Sequence, residues 1–449
     1  MKRIAKVAAV LCAAALGLGA CGSSPSAESP KPNQGGAATN KTIKVAAVET
    51  AYGTDGWKAV AKAFEEETGI KVELQTAKNL EDTLGSQMQS GSFPDVVHMA
   101  LGREKGLTET MVKDKALTDL SDVLASKVPG EDVTVQEKLI PGILNSANTD
   151  PYGDGKMYLA PMFYTPCGLY YDANLLKSKG WEVPTTWDEM WALGDKAKAE
   201  GIYLFSYPTA GYFDAFFYAM LYQAGGEDFF KSATNWEEGV WDTPEAKQIF
   251  DVIAKIATYT DPVVPAQANA TDFTKNQQLV LDDKAIFMPN GDWVVGEMAD
   301  APRAEGFQWG SIALPAFKAG GDRYSTTFFE QAWVPAKAAN QAEAKQFVAF
   351  LYSDKAAEAF ASTSSPAFQP IVNATKFMPE DKKAVYGIYE NGAKAAVGAM
   401  NTNFQLEGTE WKDVFFKPID SLVAGTMTQD QWVQGIKELN DKVRPLLNK

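Results

Sequence analysis

The chain has 449 residues, with 57 Asp plus Glu against 42 Lys plus Arg and a formal charge of −15. That balance disfavours a polyanionic partner, and no basic run carries interleaved aromatics, so nucleic acid is not expected as a partner. Beyond the first forty positions some 400 residues remain, 45% of the whole chain being hydrophobic, which exceeds what one core usually serves and predicts two domains.

Residues 1–20 set Lys2, Arg3 and Lys6 before an apolar and small-residue run from Val7 to Ala20, the layout of an export signal. The run is too short for a comfortable membrane span, and no later stretch approaches one. Leu18-Gly19-Ala20-Cys21 resembles the bacterial lipobox, which implies cleavage before Cys21 and acylation of its thiol. Loss of the three signal cations takes the charge from −15 to −18. Gly17, Gly19 and Gly22 satisfy GxGxxG, but no strand precedes them and no helix follows, so the match carries no dinucleotide site. Residues 21–41, rich in Ser, Pro, Gly and Asn, predict a flexible tether.

Further along, Ile43 to Val48 reads as a buried strand, Gly56 to Thr68 as a helix with Trp57, Val60, Ala61 and Phe64 on one face, and Lys71 to Gln75 as a second strand. A helix over Leu80 to Ser90 and a Val-rich strand over Asp95 to Ala100 follow. Short alternating units of this kind predict a parallel α/β sheet. Asp150 to Gly155 is an acidic turn, with Pro161 where a calcium loop needs its last carboxylate. Strands are expected over 156–162 and 168–172, separated by a Thr-Pro-Cys-Gly turn, and again over 201–207, 284–288, 309–314 and 331–335. Helices are expected over 186–199, 212–224, 342–352 and 429–446.

Cys12 lies in the signal and Cys21 is the proposed lipid site, so Cys167 stands alone and no disulfide is available to the folded part. With His98 the single histidine, there is no Cys/His zinc set and no local nucleophile dyad. No metal, cofactor or catalytic residue is expected, and GxxxxGK[ST] is absent.

An ordered series of segments resembles the extracellular solute-binding proteins (family 1) of carbohydrate ABC importers, the maltodextrin-binding-protein group. The segments are Trp57 to Ile70, Phe93-Pro94-Asp95-Val96-Val97, Gly155 to Pro161, Gly168-Leu169-Tyr170-Tyr171-Asp172, Pro184 to Met190 and Ala285 to Trp293. Gly180 to Pro208 looks most like the branch handling N-acetylglucosamine and chitobiose. The resemblance implies a periplasmic-binding-protein-like α/β fold of type II, two lobes with a ligand cleft between them. Lobe 1 is then expected over 42–156 and 315–352, and lobe 2 over 157–314 and 353–449. It further implies a monomer, held on the extracytoplasmic face of the cell membrane by the Cys21 lipid, that delivers a carbohydrate to permease subunits and has no enzymatic activity. Two other classes remain open: a secreted glycoside hydrolase working with two carboxylates, and a sugar-sensing surface lipoprotein.

A sugar presents C–H faces and a hydroxyl rim, so its site needs aromatic planes beside polar side chains. Trp293 resembles the stacking Trp of the family, with a core Trp as the alternative. Asp292 beside it is either a hydroxyl acceptor or a cap. Glu49, Tyr52 and His98 stand at carboxyl ends of strands, where open α/β clefts form; a satisfied core position is the alternative for His98. Tyr164 is expected in the cleft or in the core. Tyr207, Tyr212 and Phe213 flank a Thr-Ala-Gly turn and are expected to supply at least one lining ring. Phe329 and Glu330, in a bulky run from Phe328 to Gln331 where the family commonly has a small Gly-rich segment, are expected to narrow the cleft.

Overall fold

The computed structural model describes residues 41–50, 52–103, 105–144, 146–206, 213–269, 271–402, 404, 406 and 408–447. The segment expected as an export signal, Cys21, the expected tether up to residue 40, Tyr207 and Tyr212 lie outside the described residues. No helix among the described residues is long and apolar enough to cross a membrane.

The amino-terminal part builds as its periodicity predicts. Strands β1 (Thr42–Val48), β2 (Lys71–Ala77) and β3 (Val96–His98) pair in parallel in the order β2-β1-β3. β1 is buried on both faces: Ile43, Val45 and Ala47 pack in the cluster of Trp57 and Phe64, while Ala46 and Val48 meet Leu80 and Leu84. The helix Asp55–Thr68 ends at Gly69, whose φ of 72° lets its N–H return to the Glu65 carbonyl.

The expected Thr-Pro-Cys-Gly turn does not form. The chain runs through it as one strand of 13 residues, β4 (Ala160–Asp172). A Cβ at Gly168 would stand 2.4 Å from the Ile312 carbonyl oxygen, so this glycine serves a close approach of backbone rather than a reversal. The remaining strands are β5 (Tyr203–Phe205), β6 (Ala285–Gly291), β7 (Trp309–Ile312), β8 (Arg323–Trp333) and β9 (Ala393–Ala396). β8 is far longer than the short strand expected at its end.

Two long strands therefore connect two strand groups. β8 lies antiparallel to β3 at Val97↔Trp333 and His98↔Ala332, and to β4 from Ala160↔Ala332 to Pro166↔Thr327. The far half of β4 pairs with β6 and β7. The sheet is thus mixed rather than wholly parallel, because β4 and β8 run antiparallel to each other, β8 to β3, and β4 to β6 and β7, while β8 and β9 are parallel.

A second core, with Phe205, Phe213, Phe217, Trp236, Trp241 and Phe287, fills the β5–β6 side. There a capping box of Thr186 and Glu189 starts the helix Trp187–Ala199, whose Trp187 and Trp191 stack at 5.2 Å as buried packing. The helix Phe213–Thr234 is kinked at Gly225 and Gly226. The helix Asp354–Ala361 falls in the segment expected for the second lobe, yet its Phe360 lies over Gly56 and meets Trp57 at 5.0 Å. Asp150 closes the acidic turn by accepting from the N–H groups of Asp154 and Gly155.

Candidate functional site

The crossing of β4 and β8 is marked by a bulge between Met162 and Tyr164. Phe163, the extra residue, has φ 21°, a conformation that side chains rarely adopt. Its ring packs on Tyr52 at 5.1 Å, His98 at 5.0 Å and Phe360 at 4.8 Å, contacts that offset the local strain. Tyr52 comes from the loop after β1 and His98 from the end of β3, so the carboxyl ends of parallel strands converge here.

Strand alternation sorts the bulky run of β8. Phe329 and Gln331 are buried, whereas Phe328 is 45% exposed and the Glu330 side chain 20% exposed. The Phe328 ring lies 6.4 Å from Trp293, and Glu330 Oε2 lies 3.0 Å from His98 Nε2. That approach lacks hydrogen-bond alignment: Glu330 Oε2 and both His98 ring nitrogens are buried without hydrogen-bond partners among the described residues. Burial, then the charges of Glu330 and Asp292, pushes the Tyr52 phenol above its ordinary range. Tyr52 therefore sits within electrostatic reach of both carboxylates.

The end of β6 supplies the third wall. A Cβ on Gly291 would stand 2.1 Å from Trp293 Cζ3, so the indole lies directly against the Gly291 backbone. Trp293 is half-buried and opens a five-residue helix, Trp293–Glu297. Asp292 Oδ2 accepts from Lys382 Nζ at 2.9 Å and lies 3.1 Å from the Tyr386 hydroxyl, which is also 3.1 Å from the Tyr164 carbonyl. The helix Glu380–Tyr386 thereby ties β4 at Tyr164 to the end of β6.

Of the residues singled out in the sequence, Tyr52, His98, Asp292, Trp293 and Glu330 are brought to this crossing. Tyr164 is packed beneath Tyr386 and Tyr389 at 3% exposure, and Phe213 lies in the second core against Phe216 and Phe416. Phe329 is buried on the face opposite Glu330. Glu49 turns to Lys78 at 3.9 Å. Lys382, Tyr386 and Phe360 had no local sequence signal, since their neighbours at the crossing are tens to hundreds of residues away. The geometry offers aromatic faces beside carboxylates and a buried imidazole.

Residues 50–358, more than half of the chain, match the family model described as bacterial extracellular solute-binding protein. The diacetylchitobiose binding protein NgcE of Streptomyces coelicolor is 27% identical over 443 residues, covering 94% of this chain and 89% of that protein. A maltooligosaccharide ABC transporter solute-binding lipoprotein of Streptococcus pneumoniae is 31% identical over 208 residues, 43% of this chain and 40% of that protein. The solved structure of the bacterial solute receptor AcbH, described as having an exclusive preference for b-D-galactopyranose, superposes with a TM-score of 0.66 at 18% identity. It covers 90% of this chain and 100% of that one. The fold is accordingly the two-lobed α/β type of periplasmic binding proteins. The chain belongs to the bacterial extracellular solute-binding protein family.

Proposed function

We propose that this protein captures a carbohydrate, an oligosaccharide or amino sugar, at the β4/β8 crossing and delivers it to the permease of an ABC importer. The observation that carries this reading is the convergence of Trp293, Phe328 and Tyr52 with the carboxylates Asp292 and Glu330. Such a set suits a ring with apolar faces and a hydroxyl rim. The similarity to a diacetylchitobiose binding protein and to a maltooligosaccharide ABC transporter solute-binding lipoprotein supports the same ligand class. Lobe 1 takes residues 42–156 and 315–352, joined by the helix Asp354–Ala361 through its contact with residues 55–68; lobe 2 takes 157–314 and the rest of the carboxyl-terminal part. Lobe closure shields the ligand, with no chemistry performed on it. The protein acts as a monomer on the outer face of the cell membrane, held by acylated Cys21.

Calorimetry against neutral oligosaccharides and amino sugars, diacetylchitobiose and maltotriose included, tests the reading. Micromolar or tighter binding with ligand recovered unchanged is expected; release of reducing ends would point to a hydrolase, and no binding would overturn carbohydrate capture. Trp293→Ala is expected to weaken binding by about 1 to 2 kcal/mol through lost stacking and apolar burial while the fold stays intact.

A further inference from the structure

We infer that Glu330 is the specificity-determining acceptor of this site, taking a ring hydroxyl at Oε1, and that His98 positions it without touching the ligand. The inference rests on the carbohydrate reading above and names the polar contact that orients the sugar.

Two oxygens of one carboxylate have different surroundings. Oε2 is sealed from solvent, 3.0 Å from His98 Nε2 and without a hydrogen-bond partner among the described residues, while the side chain as a whole keeps 20% exposure. The open part of the carboxylate is therefore Oε1, on the strand face it shares with Phe328, whose ring neighbours Trp293. A carboxylate that is largely desolvated and short of donors favours any ligand that brings one, and hydrogen bonds to charged acceptors are the stronger kind.

Asp292 is a weaker candidate for that role, because Lys382 and Tyr386 already occupy its Oδ2. His98 cannot reach a ligand. It is fully buried, with Trp57 at 4.8 Å and Phe163 at 5.0 Å, so its ring is fixed by packing. Fixed in this way, it sets where Oε2 rests and hence where Oε1 points. Glu330 is the charged group that touches His98, and Trp57 and Phe163 pack their rings against it.

The test uses a neutral oligosaccharide that binds the wild-type protein in the calorimetric screen, with circular dichroism and thermal melting to establish folding. Glu330→Gln is expected to weaken binding about 10- to 100-fold, the range for a hydrogen bond to a charged group. Glu330→Asp keeps the charge but shortens the reach and is expected to weaken binding by a similar factor. His98→Gln is expected to lower affinity less, and to lower it hardly further when combined with Glu330→Gln, because it acts through that carboxylate. Folded Glu330 variants within twofold of wild type would overturn the acceptor role, while leaving carbohydrate capture standing. A His98→Gln loss that persists in full in the Glu330→Gln background would overturn the positioning role. A wild-type protein that binds no sugar at all overturns the parent reading and this inference together.

Discussion

Gly291 shows how a single missing side chain sets the orientation of its neighbour. The Trp293 ring occupies the space a Cβ would need, 2.1 Å from Cζ3, so Gly291→Ala forces the indole away from the crossing. The expected result is a loss of sugar affinity comparable to that of Trp293→Ala, with a stability cost of about 1 to 3 kcal/mol from overpacking; calorimetry and denaturant titration check the two parts. Asp283 carries a different residue-scale consequence. Burial, followed by the charge of Asp172 and their hydrogen bond, raises its carboxyl to about 6. The folded protein thus holds this proton more tightly than the unfolded chain. The associated stabilisation is complete below the unfolded value and is lost as pH rises through about 6. Asp283→Asn, which suits the φ of 57°, is expected to gain less than about 1 kcal/mol at pH 7.5, after allowance for solvent screening, and nothing at about pH 4. Melting temperatures at both pH values measure this. At this scale the place of Asp292 and Trp293 just past a strand was legible. The Lys382 and Tyr386 partners of Asp292 were not, because ninety residues separate them and no periodicity links them.

At the scale of elements, β4 and β8 decide where the site lies. Local signals in Thr165-Pro166-Cys167-Gly168 favour a turn, yet pairing with β8 on one half and with β6 and β7 on the other keeps the segment extended. Tertiary hydrogen bonds outweigh the local preference of Pro and Gly here. Gly168→Ala places a Cβ 2.4 Å from the Ile312 carbonyl oxygen and is expected to part β4 from β7, destabilising the fold by about 2 to 3 kcal/mol. Denaturant unfolding checks this, and a stability within about 0.5 kcal/mol of wild type would contradict the close approach. The helix Asp55–Thr68 and the capping box at Thr186 were legible because their signals are local: one apolar face, one Gly stop, one Thr/Glu pair. The contact of the helix Asp354–Ala361 with residues 55–68 was not, since an alanine-rich helix fits either lobe by composition.

For the whole molecule, the proposed anchor and the proposed ligand make separable predictions. Cys21→Ala is expected to move the protein from the membrane to the soluble fraction without altering sugar affinity, measured by fractionation and calorimetry of the same variant. Length and composition by themselves determined that the chain needs more than one core, and its acidic balance set aside nucleic acid. Periodicity determined β1 to β3 with their helices, and an ordered series of motifs determined the family. Those are properties of nearby residues or of bulk composition, so one chain suffices to read them. Only the tertiary structure decided that β4 and β8 are continuous between the two strand groups, that Phe163 rather than Tyr164 faces the crossing, and that Glu330 meets His98. Each of these depends on which distant backbone pairs with which, because a one-residue shift at the Met162/Tyr164 bulge exchanges the two faces of a strand.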